Sequence, residues 1–199
     1  MRAYDNLHDN LSAASAEATI YRGFMTTYYY TASSLDGFIA TPDHSLEWLF
    51  TQDFDTEGPM AYPAFVKQIG ALAMGASTYE WLLKNGGEWG YSQPTWVFTH
   101  RDLPVPEGAD IRFVQGGVSA VHPEMIAAAD GQGIWVMGGG DLAGQFADAG
   151  LLDEIWIQFA PVTLGAGQPL FPRKLQLDLV EAVQNRDFVC TRYRVRHAS

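Results

Sequence analysis

The segment from Ile134 to Phe146 constrains the fold of this chain more than any other part of its sequence. It runs I-W-V-M-G-G-G-D-L-A-G-Q-F, which is an apolar stretch, three glycines, and then residues compatible with a helix. This order predicts a buried strand that leads directly into a helix N-terminus. Unpaired backbone N–H groups and a partial positive charge at such a terminus favour a phosphate or diphosphate. Glycines at 138–140 would let that ligand approach the main chain, although they also suit a tight turn without a ligand.

The rest of the chain alternates between patterns typical of strands and of helices. Strands alternating with helices predict a mainly parallel sheet with helices on both faces. The last two strands have no helix between them, which predicts an antiparallel pair at the sheet edge. We therefore predict an α/β fold. The predicted strands are 27–33, 38–40, 71–74, 95–99, 111–114, 134–137, 152–162 and two within 177–196, and the predicted helices are 59–69, 79–82, 118–129 and 141–149.

Composition limits the domain organisation and the partners. Residues 1–24 are small and polar and predict an N-terminal extension, either loosely attached or forming a short docking helix, whereas residues 25–199 predict one domain. A hydrophobic content of 47% is sufficient for a packed core. Twelve basic against 23 acidic residues give a net charge of −11, which argues against nucleic acid or an anionic membrane as a partner.

Cysteine and histidine usage point to a protein without disulfides or metals. Cys190 is the single cysteine, which fits a reducing compartment. No apolar run is long enough to span a membrane, and the N-terminus lacks a secretion pattern, so we predict a cytoplasmic protein. The five histidines lie far apart without the i, i+4 spacing of a helical zinc site, so we predict no metal.

Five short motifs occur in a set order between Met25 and Arg196. They are S-L-D-G-F-I-A at 34–40, M-G-x-x-T-Y-E at 74–80, V-F-T-H-R at 97–101, G-G-G-D-L-A-G-Q-F at 138–146 and P-L-F-P at 169–172. Together they resemble the dihydrofolate reductase superfamily, in particular the branch related to the reductase domain of the bifunctional riboflavin-biosynthesis deaminase-reductase. The resemblance implies a three-layer dihydrofolate reductase-like fold, NADPH as the cofactor and a homodimer.

The resemblance also implies four groups of cofactor contacts: the diphosphate, a second anion site, the adenosine 2′-phosphate and the nicotinamide ring. The implied residues are, in that order, Gly138, Gly139, Gly140, Asp141, Leu142 and Gln145; Gly75, Ser77 and Thr78; Thr99, His100 and Arg101; and Ala32, Ile39 and Ala40. Arg101 would supply the countercharge that favours NADPH over NADH. The alternative for Arg101 is a solvated loop cation.

Hydride transfer to a C=N or C=O bond also needs a proton donor. By resemblance this is Asp53, five residues after Trp48, and an acid enclosed by Trp48, Phe50 and Phe54 would favour its protonated form. Alternatively, Asp53 is one of several acids that favour a helix N-terminus.

Asp36, Phe38 and Trp48 are the implied substrate-side residues. For Asp36 the alternative is the polar residue of an Asp-Gly turn.

The chain departs from the family pattern at four positions. Phe38 and Met137 stand where the riboflavin-pathway reductases have lysine and glutamate, Ala76 replaces an arginine, and Ala143 replaces an aromatic residue. Two functions therefore remain open. One is an NADPH-dependent reductase of a small pterin or pyrimidine, and the other is a non-catalytic nucleotide- or ligand-binding protein on the same scaffold.

Overall fold

A computed structural model describes residues 25–197, and these residues form one α/β unit built on a central sheet. The predicted extension at 1–24 lies outside the described residues. Ten strands and five helices make up the unit. The strands are β1 (Thr27–Ser34), β2 (Phe38–Ala40), β3 (Ile69–Gly75), β4 (Thr95–Phe98), β5 (Ile111–Val114), β6 (Gly133–Gly138), β7 (Glu154–Ala160), β8 (Gln168–Pro169), β9 (Leu177–Asn185) and β10 (Phe188–Val195). The helices are α1 (Glu47–Phe50), α2 (Tyr62–Val66), α3 (Ala76–Asn85), α4 (Val118–Ala128) and α5 (Gly140–Asp148).

Eight strands form the central sheet in the order β5-β4-β3-β6-β1-β7-β10-β9. The strands from β5 to β7 pair in parallel, because a helix or long loop separates each from the next. Strand β10 pairs antiparallel with both β7 and β9, which confirms the predicted antiparallel edge. Strands β2 and β8 form a separate two-stranded sheet.

Neighbouring residues of the central strands face opposite layers of helices. Tyr29 and Val136 pack with α4 and α5, whereas Tyr30, Leu72 and Trp135 pack with α2 and α3. This alternation follows from the two-residue period of a strand, and it gives the predicted arrangement of helices on both faces. Strand β3 is buried along most of its length because both of its faces are covered, whereas the edge strand β9 is largely exposed.

The structure corrects one predicted helix boundary and adds two short elements that were not predicted. Helix α2 is shorter than predicted, because Ile69 belongs to β3 instead of the helix. The segment at 47–50, for which no helix was predicted, forms α1 around the buried Trp48. Strand β8 was also missed, since a two-residue strand has no detectable period.

Candidate functional site

Two helix N-termini lie side by side at the carboxyl edge of the central sheet. Strands β3 and β6 are parallel neighbours, and Met74 pairs with Gly138 at their ends. Helix α3 begins immediately after β3 and helix α5 begins two residues after β6. Their N-cap residues, Gly75 and Gly139, have extended backbones, and no side chain of residues 25–197 caps either helix. The first-turn amides of both helices are therefore free to bind an anion in the space where parallel sheets usually bind ligands.

The glycines at this edge divide into two kinds. A Cβ added to Gly75 would have no other described heavy atom within 4 Å, and one added to Gly139 would first meet Ile39 Cδ1 at 3.9 Å. A Cβ on Gly138 would lie 2.9 Å from Thr78 Oγ1, and one on Gly140 would lie 2.4 Å from two carbonyl oxygens of the P-L-F-P segment. Gly75 and Gly139 therefore border open space, whereas packing within the protein requires Gly138 and Gly140. The peptide bond between Gly138 and Gly139 is cis.

Asp141, in the first turn of α5, is held by two neighbouring side chains. Its carboxylate accepts hydrogen bonds from Gln145 Nε2 at 3.0 Å and from Arg173 Nη2 at 2.9 Å, and these bonds lower the pKa of Asp141. Arg173 Nε also donates to Asp148 Oδ2 at 2.9 Å. An added Cβ on Gly144 would lie 2.8 Å from Arg173 Cγ, so the guanidinium can lie along the helix only because residue 144 is glycine.

Arg173 was missed by the sequence interpretation. The available signal was the pair of acids seven residues apart on one helix face, with a glycine between them. Its positive charge offsets the carboxylate of Asp141 beside the proposed anion site, where that carboxylate would otherwise repel a phosphate.

Arg101 follows β4 and reaches the middle of α3. Its Nη1 and Nη2 donate to Glu80 Oε1 and Oε2 at 2.9 and 2.7 Å, and its backbone N–H donates to Thr99 Oγ1 at 3.0 Å. The arginine and glutamate side chains are 54% and 41% exposed, so both remain accessible to a ligand. Glu80 belongs to one of the recognised motifs, but no role was predicted for it. His100, the third predicted 2′-phosphate contact, lies exposed between Thr99 and Arg101.

The connection between β1 and β2 is fixed by the carboxylate of Asp36. This group accepts hydrogen bonds from Ser34 Oγ at 2.6 Å, from Leu164 N at 3.0 Å and from Gly165 N at 2.7 Å. The bond from Ser34, followed by the backbone bond from Leu164, lowers the pKa of Asp36. Ser34 Oγ also accepts a hydrogen bond from Phe38 N at 3.0 Å. Asp36 therefore joins two loops, beyond the simple turn that was its alternative interpretation.

Trp48 is buried, with 8% of its surface exposed, and packs near Ala160 at the carboxyl end of β7 and Phe188 at the start of β10. Its Nε1 atom is buried without a hydrogen-bond partner among the described residues. A buried N–H group without a partner is costly, and a bound ligand would remove that cost by accepting a hydrogen bond. Ala32 is half-buried and packs against this cluster.

Asp53 does not have the predicted surroundings. Its side chain is 67% exposed, and its Oδ2 atom lies 3.7 Å from Arg186 Nη1 in the β9–β10 turn. Its backbone N–H donates to Asp187 Oδ2 at 2.8 Å. The expected enclosure by aromatic residues is wrong, because α1 ends at Phe50 and the chain then turns outward toward the hairpin.

The residues at the carboxyl edge fit a dinucleotide diphosphate. Open space beside Gly75 and Gly139 adjoins two sets of first-turn amides, and the cationic Arg101 and Arg173 lie on the flanking elements.

In residues 25–197, no group of three or more His, Cys, Asp or Glu side chains is placed to hold a metal ion. No helix in this part of the chain is both long and apolar enough to cross a membrane.

The fold and the paired helix N-termini define a dihydrofolate reductase-like protein with a reductase-type scaffold. The sequence profile of the RibD C-terminal domain matches residues 89–191, and the chain belongs to this family. It is 34% identical over 146 residues to the uncharacterized protein YwjB of Bacillus subtilis strain 168, covering 73% of this chain and 82% of that one.

Solved structures show the same fold. A Shewanella sp. PV-4 protein, provisionally named as a riboflavin biosynthesis protein, has a TM-score of 0.74 at 26% identity, covering 87% of this chain and all of that one. Dihydrofolate reductase from Enterococcus faecalis, complexed with NADP(H), has a TM-score of 0.55 at 17% identity, covering 86% of this chain and 97% of that one.

Proposed function

We propose that this protein is an NADPH-dependent reductase that transfers a hydride to a small, flat heteroaromatic substrate of the pterin or pyrimidine type. The observation that supports this proposal most strongly is the pair of uncapped helix N-termini at the ends of β3 and β6. Membership of a reductase-type family also supports a reductase function. NADPH would supply the hydride when bound.

In this proposal, backbone amides of both helices hold the cofactor diphosphate. Gly75 and Gly139 leave the space for its approach, and the amides of Ser77 and Thr78 and of Asp141 and Leu142 donate to its oxygens. Gly138 allows the close approach of Thr78 in α3, and Gly140 allows the close approach of the P-L-F-P segment to α5. Gln145 and Arg173 act on the cofactor indirectly, by holding the Asp141 carboxylate away from it.

The remaining cofactor contacts follow the strand order. Thr99, His100 and Arg101 follow β4, next to β3, and would bind the adenosine 2′-phosphate. Ala32 lies in β1, on the other side of β6, and Ile39 lies beside Gly139; together with Ala40 they would frame the nicotinamide. The two ends of the cofactor would therefore be held on opposite sides of the glycine segment.

The substrate would bind between α1 and α3. Trp48 offers its unpartnered Nε1–H as a hydrogen-bond donor, and Phe38 is the first residue of β2. The ring of Phe50, 69% exposed, lies nearly parallel to that of Trp81, with 6.2 Å between their centroids and 17° between their planes. The exposed ring of Phe50 offers a face on which a flat aromatic ligand could stack. In this arrangement Asp36 supports the site by joining the loops at 34–37 and 164–165.

Asp53 is the proton donor we propose from its spacing to Trp48. Its contact with Arg186 is a competing interaction that substrate binding would have to displace. Replacing Asp53 with Asn should lower kcat by more than tenfold while leaving NADPH affinity unchanged, because general acid catalysis contributes about a hundredfold or more. Asp55→Asn is the matched control, since it removes an exposed acid from the same segment. Equal rates in the two variants would remove Asp53 from the mechanism.

A homodimer is part of the same proposal. The edge strand β9 exposes Leu179 and Val180, with 61% and 40% of their surfaces accessible, and an exposed apolar edge favours association. Light scattering after size-exclusion chromatography measures the mass directly. A monomer at micromolar concentration would contradict this part of the proposal.

The second candidate is a nucleotide-binding protein without turnover. The exposure of Asp53 favours this second candidate, because the structure does not enclose this acid beside the proposed substrate position. Calorimetric titration with NADPH and NADH, followed by cofactor-oxidation assays with a panel of pterins and pyrimidines, separates the candidates. Binding with oxidation supports the reductase, binding without oxidation supports the second candidate, and absence of binding contradicts both.

A further inference from the structure

The ion pair between Arg101 and Glu80 occupies the guanidinium that the proposed function assigns to the cofactor. Both terminal nitrogens of Arg101 are engaged, each by a different oxygen of the same carboxylate, at 2.9 and 2.7 Å. A phosphate group binds a guanidinium through the same two parallel N–H···O bonds. The carboxylate and a phosphate therefore compete for the same donors.

Glu80 lies close to the proposed cofactor site, so the competition would take place there. It lies in α3, about one helical turn beyond the first-turn amides at 76–78. An oxygen of a bound phosphate in contact with Arg101 would also lie close to the Glu80 carboxylate, because both groups share one guanidinium. Repulsion between these like charges would add to the loss of the ion pair.

We propose that Glu80 is a specificity-determining residue that lowers the preference of this protein for NADPH over NADH by competing with the 2′-phosphate for Arg101. The inference rests on the proposed function, since it requires nicotinamide dinucleotide binding at this edge of the sheet. NADH has a hydroxyl in place of the 2′-phosphate, so its binding leaves the ion pair intact. NADPH binding requires the pair to break, and Glu80 therefore acts on one cofactor only.

The pair is suited to this role because it is accessible. More than 40% of each side chain is exposed, and exposed ion pairs contribute little to stability, so a phosphate can displace the carboxylate. A buried pair would instead exclude the phosphate completely. The expected result is a reduced preference for NADPH, with both cofactors still bound.

The test is the ratio of NADH to NADPH dissociation constants in variants of the full chain, measured by calorimetry. Glu80→Gln should strengthen NADPH binding by about fivefold to tenfold, because it frees Arg101 and removes a like charge, and should leave NADH binding unchanged. The variant that combines Glu80→Gln with Arg101→Gln should bind NADPH no more tightly than Arg101→Gln alone. That result would show that the gain from Glu80→Gln depends on the guanidinium.

Glu124→Gln is the matched control. Glu124 makes a comparable exposed ion pair with Arg112 at 2.9 Å, on the β5–α4 side of the molecule, so its replacement makes the same change in net charge at another place. Its cofactor ratio should equal that of the unmodified protein. An equal ratio in Glu80→Gln and Glu124→Gln, or a gain that persists without Arg101, overturns the inference while leaving the proposed function intact. If the unmodified protein and every variant bind neither cofactor, the proposed function fails and the inference fails with it.

Discussion

Replacing Gly75 with alanine tests whether the open space at the start of α3 holds a diphosphate. Gly75 is the helix N-cap with φ −81° and ψ 165°, and an added Cβ would have no described neighbour within 4 Å. Alanine therefore fits without a clash or backbone strain. The change should reduce stability only by the difference between glycine and alanine at an N-cap, about 0.5–1 kcal/mol.

The effect on binding should be larger. The added methyl group projects into the space through which a phosphate would approach the first-turn amides. Losing one charge-assisted hydrogen bond there should weaken binding by about 1.5–3 kcal/mol. This corresponds to a roughly tenfold to hundredfold rise in the dissociation constant for NADPH. Calorimetry measures the affinity, and thermal denaturation measures the stability change separately.

Gly117→Ala provides the matched control. Gly117 is the N-cap of α4 with φ −73° and ψ 154°, and its added Cβ also lacks a described neighbour within 4 Å. The two substitutions should therefore cause the same small loss of stability, and only Gly75→Ala should weaken binding. Equal NADPH affinity in the two variants would refute the assignment of this space to the cofactor diphosphate.

Three further predictions concern the scaffold around the site. Gly140→Ala should lower stability by about 1–3 kcal/mol or more, seen as a lower Tm, because the new Cβ would lie 2.4 Å from two carbonyl oxygens; an unchanged Tm would contradict this packing. The lowered pKa of Asp36 means that its ionised form stabilises the fold above the unfolded-state pKa of about 3.9, and that this stabilisation is lost as the pH falls through the folded-state value. Asp36→Ala should therefore lower the Tm at pH 7 and converge with the unmodified protein in acid; a pH-independent difference would be inconsistent with this cause. Burial raises the pKa of the Cys190 thiol to about 11, so the thiol should react with a disulfide reagent only after unfolding, and rapid labelling of the native protein would disprove its burial.

Much of the fold follows from local sequence patterns. The buried run in β3 and the segment that forms β6 and α5 were predicted because their apolar periods and glycines are contiguous in the chain. The antiparallel edge was predicted because no helix separates the last two strands. The short elements α1 and β8 were not predicted, since two to four residues cannot establish a period.

The candidate site was predictable only in part. A helix starting at Asp141 was predicted from the glycine run, one residue after its start in the structure, but the division of the glycines into packing and open positions was not predicted. That division depends on Thr78 and on the P-L-F-P segment, which approach from other parts of the chain. The sequence spacing between Trp48 and Asp53 matched the family pattern, but the position of the Asp53 side chain depends on contacts with the β9–β10 turn.

The sequence alone determined the parallel α/β architecture and the anion-favouring helix start, because strand period, helix period and glycine act over a few neighbouring residues. Only the tertiary structure decided which charges meet. Arg101 contacts Glu80 and Arg173 contacts Asp141 because the strand order and the return of the chain after β8 bring distant segments together. No local pattern encodes those distances, so the electrostatic partners of the site are properties of the fold.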